Sequence, residues 1–381
     1  MKERYTIIDT VIIYPIQRDE NDKMNVQFEE GLFLIAAARF HGERTPQAIV
    51  HLLRGRKNNQ VIADAALFGT SMLYGVMQSI SADDVRNRLD TLIERGWIEV
   101  HPGVKEQVCC SLVGEEELKK REKAFRYEAC LNAVTSVHEK VRAVRFWKKL
   151  SLFVQTASHL AEGETLFYPV VEQRELQQEV KKVLLENSDR RMLVSQVKRE
   201  ITRWMEECNE EERQLILRRL SGKVRAGLTY RQLADTLHTA EGAAALHIIR
   251  LAAEQLARME SSSYPLLMKL ADRRTGEAGL TRTAQQTRLL LNKGYSFEEI
   301  VHRRGLKPGT IEDHLVEIAI ADPDFDIRKF VSQEKMKRIQ AVMSEKGLKK
   351  IREIRLEVGD EYSFLEIRLA SVRALQGGGR S

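Results

Sequence analysis

The chain has 381 residues, 43% of them hydrophobic and 30% charged, and its 61 Lys and Arg against 55 Asp and Glu leave a net charge of +6. This is a globular balance spread over two or three domains, and it excludes the apolar-poor composition of disorder. The excess of positive charge is too small to establish nucleic-acid binding by itself.

The apolar stretch from Tyr5 to Ile16 is interrupted by Asp9 and lacks a cationic start and a cleavage site, so no signal peptide is expected. No window approaches the roughly 20 apolar residues of a membrane span, and the expected location is the cytoplasm, with no membrane partner. Thr45 and Pro46 mark a helix start, with Ile49, Leu52 and Leu53 as its buried stripe. After the basic break Arg54 to Asn59 a second helix takes in Val61 to Phe68. Ser81 opens a third, which ends at Gly96. Trp97 to Val100, a Pro102-Gly103 turn and Gln107 to Val113 then read as a hairpin. Three helices and a hairpin outline a winged helix whose groove helix, Asp83 to Glu94, carries Arg86, Arg88 and the flanking Arg95 but also Asp83, Asp84, Asp90 and Glu94. Partial cancellation of phosphate attraction follows, and a plain helical bundle or a protein-docking surface stands as the alternative to DNA contact.

From Glu115 to about Leu160 the pattern is one long amphipathic helical stretch. Phe146, Trp147, Leu150 and Phe153 form the apolar face, and Lys140, Arg142, Arg145, Lys148 and Lys149 the polar one. Gly163 to Pro169 breaks the periodicity before a second array from Val171 to Leu220. Leu228 to Ala234 resembles the opening of a further helix-turn-helix, followed by an alanine-rich stretch with little to read a groove. Cys109 and Cys110 are adjacent while Cys130 and Cys208 stand alone, which gives neither a zinc pair nor a disulfide framework, so inert thiols are expected.

The sharpest local pattern begins at Leu280. Thr281 to Lys293 forms a helix ending at Gly294, Ser296 starts a second, Gly305 turns, and Lys307 to Ala321 forms a third. Ser296 and Glu299 make a capping box beside a Tyr295 to Ile300 staple. Ile311, Leu315 and Ile318 form the core stripe of the third helix. Thr310, Asp313 and Glu317 lie on its far side, with His314 at the edge and Arg303, Arg304 and Lys307 nearby. That acidic face meets either DNA or a protein. Ser332 to Ser344 and Leu348 to Leu356 supply further helices, and Lys335, Lys337, Arg338, Lys349, Lys350, Arg352 and Arg355 make this connector the better candidate for phosphate contact. Tyr362 to Ile367 echoes Tyr295 to Ile300, read as two helices sharing one start signal.

The fold expected is mostly α and multi-domain: an N-terminal winged-helix-like region with a small β-hairpin (1–114), a central helical region (115–275), a C-terminal helix-turn-helix module (276–375) and a disordered tail (376–381). Nine scattered histidines pair with neither histidine nor cysteine at ligand spacing, and helicase motor motifs are absent. No enzyme activity, cofactor, metal or small-molecule substrate is expected.

The residues Thr287, Gly294, Ser296, Glu299-Ile300, Arg303-Arg304, Leu306, Thr310-Ile311 and His314-Leu315 resemble the helix-turn-helix domain appended to many RecQ-type helicases. The helices around Lys349 to Glu353 and Tyr362 to Leu369 extend that likeness. In firmicutes a similar domain ends a stand-alone protein, the YpbB type, to which Leu52 to Lys57 and Gln60 to Asp64 are also similar. The resemblance implies a non-catalytic adaptor that binds DNA, a RecQ-type DNA helicase, or both, in repair or recombination. A sequence-specific transcription or replication regulator is the alternative.

Overall fold

A computed structural model describes residues 18–102, 106–186, 189–271, 280–348 and 351–378. In its first part α1 (Arg18–Phe40), α2 (Pro46–Leu53), α3 (Asn59–Leu67) and α4 (Ala82–Glu94) precede the hairpin β1 (Ile98–His101) and β2 (Gln107–Cys110), the only strands among the described residues. Then come α5 (Leu112–Phe125), α6 (Tyr127–Leu131), α7 (Val137–Ala161), α8 (Arg174–Leu185), α9 (Arg190–Glu206), α10 (Glu210–Arg219), α11 (Tyr230–Leu237), α12 (Glu241–Arg258) and α13 (Pro265–Leu270). The C-terminal part holds α14 (Arg282–Asn292), α15 (Phe297–Arg304), α16 (Pro308–Ala321), α17 (Gln333–Lys346), α18 (Ile351–Val358) and α19 (Phe364–Gly378).

Most boundaries follow from side-chain caps. The oxygens of Asn58, Ser81 and Ser136 accept from backbone N–H groups in the first turns of α3, α4 and α7, each satisfying a donor the helix itself cannot. Ser111 does the same for α5 and also donates to the carbonyl of Gly96 at 2.6 Å, so the second strand stops at Cys110 and does not run to Val113. The stretch from Glu115 to Leu160 is three helices, not one. Arg126 adopts a left-handed φ of 52°, and the chain turns again before Ser136. The Pro102-Gly103 turn falls partly outside the described residues.

One hydrophobic core takes in buried side chains from Phe28 to Leu270, so the residues on either side of position 114 share an interior. At its centre α7 is packed by α8, α9, α12 and α13. Phe146, Leu150 and Phe153 are fully buried, as foreseen, and Trp204 lies 6.5 Å from the rings of Phe146 and Trp147. Surrounding helices leave no polar face where Lys140 and Lys149 sit, and both are buried. Lys149 pairs with Glu179 at 3.0 Å, and Lys140 donates to the carbonyl of Tyr74 at 2.7 Å. Burial pushes the Lys140 ammonium down to about 7. α1 closes over this core, and at Gly31 a Cβ would stand 2.2 Å from the Tyr127 hydroxyl, which donates to the carbonyl of Phe28.

The C-terminal part has small cores of its own. Leu280, Ala284 and Ile318 join α14 to α16, and Ile339, Val342, Ile354, Val358, Ile367 and Ala370 join α17, α18 and α19. A third cluster is a seam: Val316, Ala319 and Ile320 of α16, with Leu369 and Val372 of α19, pack against Ala63 and Ala66 of α3. Small residues on α3 let the helices approach closely. The last helix continues through Gly378, past the end expected at 375, and residues 379–381 lie outside the described part.

Candidate nucleic-acid interface

The tri-helical unit forms as its caps dictate. Thr281 accepts from the backbone of Ala284, the Ser296–Glu299 capping box is closed in both directions, and Gly305 takes the left-handed φ of 58° that the turn into α16 requires. Ile300, Ile311, Leu315 and Ile318 are all fully buried. The echo beginning at Tyr362 repeats the box, with Ser363 and Glu366, but it starts the last helix of its trio whereas Ser296 starts a middle one. Two helices share a start signal without sharing a place in the fold.

The far side of α16 is only partly open to solvent, with Thr310 and Asp313 half-buried. Glu317 is buried, and its carboxylate accepts from both the backbone N–H and the hydroxyl of Thr281; burial raises its pKa against those bonds. His314 is buried as well, its ring nitrogens bonded to Thr283 and Thr287, and burial lowers its pKa. Asp313 is tied to Arg368 of α19 at 2.7 Å. Arg304 turns inward, donating to the carbonyl of Thr283 and the hydroxyl of Thr287. Expectations of contact at Glu317 and His314 are thus corrected, because bonds to Thr281, Thr283 and Thr287 occupy these buried side chains, while Asp313 and Arg304 stay half-buried. The start of α16 is its most open part, with Lys307 exposed and Thr310 half-buried, and an added Cβ at Gly309 would meet nothing. Exposed Arg303 lies over the ring of Tyr295 at 4.1 Å.

In the connector Lys335 is consumed internally. Its ammonium reaches Glu366 at 2.9 Å and sits over the Tyr362 ring. Arg355 is half-buried and paired with Asp360. Lys337, Arg338 and Arg352 are exposed and have no ion-pair partner among the described residues, while Lys349 and Lys350 lie outside them. Arg352 lines an open cleft of about 890 Å³ whose opposite side is built by Thr45, His51, Asn58 and Gln60. Arg56 borders the same side, 2.7 Å from the His51 ring, and its charge adds to burial in lowering the His51 pKa. Residues from the start and the end of the chain therefore line one cleft.

The N-terminal groove helix offers less. Arg86 donates to Gln47, Arg88 to Glu29 and Arg95 to Glu30, which leaves Asp83, Asp90 and Glu94 exposed without ion-pair partners among the described residues. The outward face of α4 is acidic and repels phosphate.

A family of helix-turn-helix domains matches residues 283–371. Over 356 residues, 93% of this chain and 99% of the other, the sequence is 27% identical to Protein YpbB of Bacillus subtilis (strain 168). No solved structure matches. None of the described helices is long and apolar enough to cross a membrane. The chain thus carries a helix-turn-helix domain over residues 283–371, set on a helical frame that is similar along nearly all of its length to Protein YpbB.

Proposed function

We propose that the chain is a cytoplasmic DNA-binding adaptor without catalysis of its own, acting beside a RecQ-type helicase in DNA repair or recombination. The observation that carries the DNA-binding half is the sorting of charge in the C-terminal module. Asp313 is ion-paired and Glu317 buried, so Glu312 is the remaining acid on α16, while Lys307, Lys337, Arg338 and Arg352 stay exposed and unpaired among the described residues. Phosphates bind such free cations and release counterions. With α16 buried from His314 to Ile320, the reading surface is short, which favours backbone contact over base readout and weighs against a sequence-specific regulator. The helicase half rests on the resemblance of this module to the domain that many such helicases carry.

Binding of the full chain to single-stranded, duplex and forked DNA at two salt concentrations tests the first half. Affinity should fall with salt, and salt-independent or undetectable binding refutes it. Copurification from native cells tests the second, which fails if no RecQ-like helicase accompanies the chain.

A further inference from the structure

The hairpin carries a group of side chains that the proposed function leaves unused. In its antiparallel register Ile98 stands opposite Cys110, Glu99 opposite Cys109, Val100 opposite Val108 and His101 opposite Gln107. Successive residues of a strand alternate between faces, so Ile98, Val100, Val108 and Cys110 share the inner face and Glu99, His101 and Cys109 the outer one. The pleat separates the adjacent thiols. Cys110 turns inward and donates to the carbonyl of Trp97, whereas Cys109 turns toward Glu99 and His101.

On that outer face three different ligand types converge. His101 Nε2 lies 3.0 Å from Cys109 Sγ and 3.6 Å from a carboxylate oxygen of Glu99, and the three ligand atoms all lie within 4.8 Å of one another. Zinc bonds of about 2.3 Å to sulfur and about 2.0–2.1 Å to nitrogen or oxygen, set at tetrahedral angles, place neighbouring ligand atoms roughly 3.3–3.6 Å apart. The separations of His101 from Cys109 and from Glu99 are already close to the edges of such a sphere, and the third pair lies within 4.8 Å. Spacing along the sequence conceals the group, because His101 and Cys109 are eight residues apart and meet only through strand pairing.

We propose that Glu99, His101 and Cys109 bind a divalent cation of the zinc class, with water in the fourth position. Thiolate, imidazole and carboxylate together suit a borderline-soft ion and disfavour magnesium or calcium. On binding, the Cys109 S–H bond breaks, its proton passes to solvent, and a sulfur–metal bond forms.

The test uses the reduced, chelator-stripped full chain titrated with Co²⁺. One equivalent should produce a thiolate-to-cobalt charge-transfer band together with the strong visible bands of a tetrahedral ion, and Zn²⁺ should bleach both. Cys109→Ser should abolish the charge-transfer band and Cys110→Ser should leave it, since Cys130 and Cys208 are buried. Glu99 and His101 are exposed, so Glu99→Gln and His101→Ala can be made without disturbing the core, and each should weaken Co²⁺ binding about tenfold or more. No band in the wild-type chain, a band that survives Cys109→Ser, or unchanged affinity in both Glu99→Gln and His101→Ala overturns the proposal.

Discussion

The carboxylate of Glu317 accepts from both the backbone N–H and the hydroxyl of Thr281, so the start of α14 is held by a buried acid on α16. Burial raises the pKa of Glu317 in the folded state. A carboxyl whose folded pKa is raised favours folding at low pH, and that contribution is lost as pH rises through the folded value. Glu317→Gln keeps one accepting oxygen and puts an amide donor, which the Thr281 hydroxyl can accept, in place of the other, without the charge. The variant should be the more stable near neutral pH, with the gap closing as pH falls through the raised folded value toward 4.5 in denaturant titrations. A gap that widens on acidification contradicts this assignment.

Lys140 gives the opposite pH signature. Its folded pKa of about 7 lies below the ordinary 10.5, so below pH 7 both states carry the charge and the folded one bears the cost of burying it. Between pH 7 and 10.5 the unfolded chain binds the extra proton, and wild-type stability rises across that window. Lys140→Met should be more stable by on the order of 1–4 kcal/mol at pH 6, less the lost bond to Tyr74, and the advantage should shrink toward pH 10. Thermal melts of both proteins across that range decide the matter.

The seam between α3 and α16 can be opened without touching the main core. Ala66→Glu forces a longer, charged side chain against Val316, Ala319 and Ile320, at a cost of about 1–3 kcal/mol from overpacking alone. Hydrogen exchange should quicken along α16 and α19 while α7 and α12 keep their protection. Equal protection along α16 in both proteins refutes the seam.

Among the basic residues, exposure separates DNA contact from architecture. Arg352→Ala should lower the log–log salt slope of DNA binding by about 0.9 and leave the melting temperature unchanged. Lys335→Ala removes the partner of Glu366 and the cation over Tyr362, so it should reduce stability with the slope intact. A reversal of these two outcomes exchanges the roles of the two residues.

Helix starts were legible in the sequence because they are local. Ser81, Thr281 and Ser296 each act within three or four residues, and the caps stand where the spacing placed them. The stripe of Ile311, Leu315 and Ile318 was legible for the same reason. What covers the rest of α16 was not, because α3 lies some 250 residues earlier in the chain. A signal was nonetheless present: Leu315 to Ala321 is interrupted only by Glu317, and a helix apolar on all sides is a buried helix. Lys140 and Lys149 misled in the converse way, since periodicity assigns a cation to solvent and tertiary packing around α7 took both inside. The meeting of Arg352 with His51 and Asn58 in one cleft has no local trace at all.

The stripe of Val316, Ala319 and Ile320 also limits how the C-terminal unit can travel. Severed near residue 280, it would bare a greasy flank that Ala63 and Ala66 now cover, and the fragment would self-associate or precipitate. Wherever the same tri-helical fold is grafted onto a different protein, that flank must either be rewritten with polar residues or find a new host helix studded with alanine.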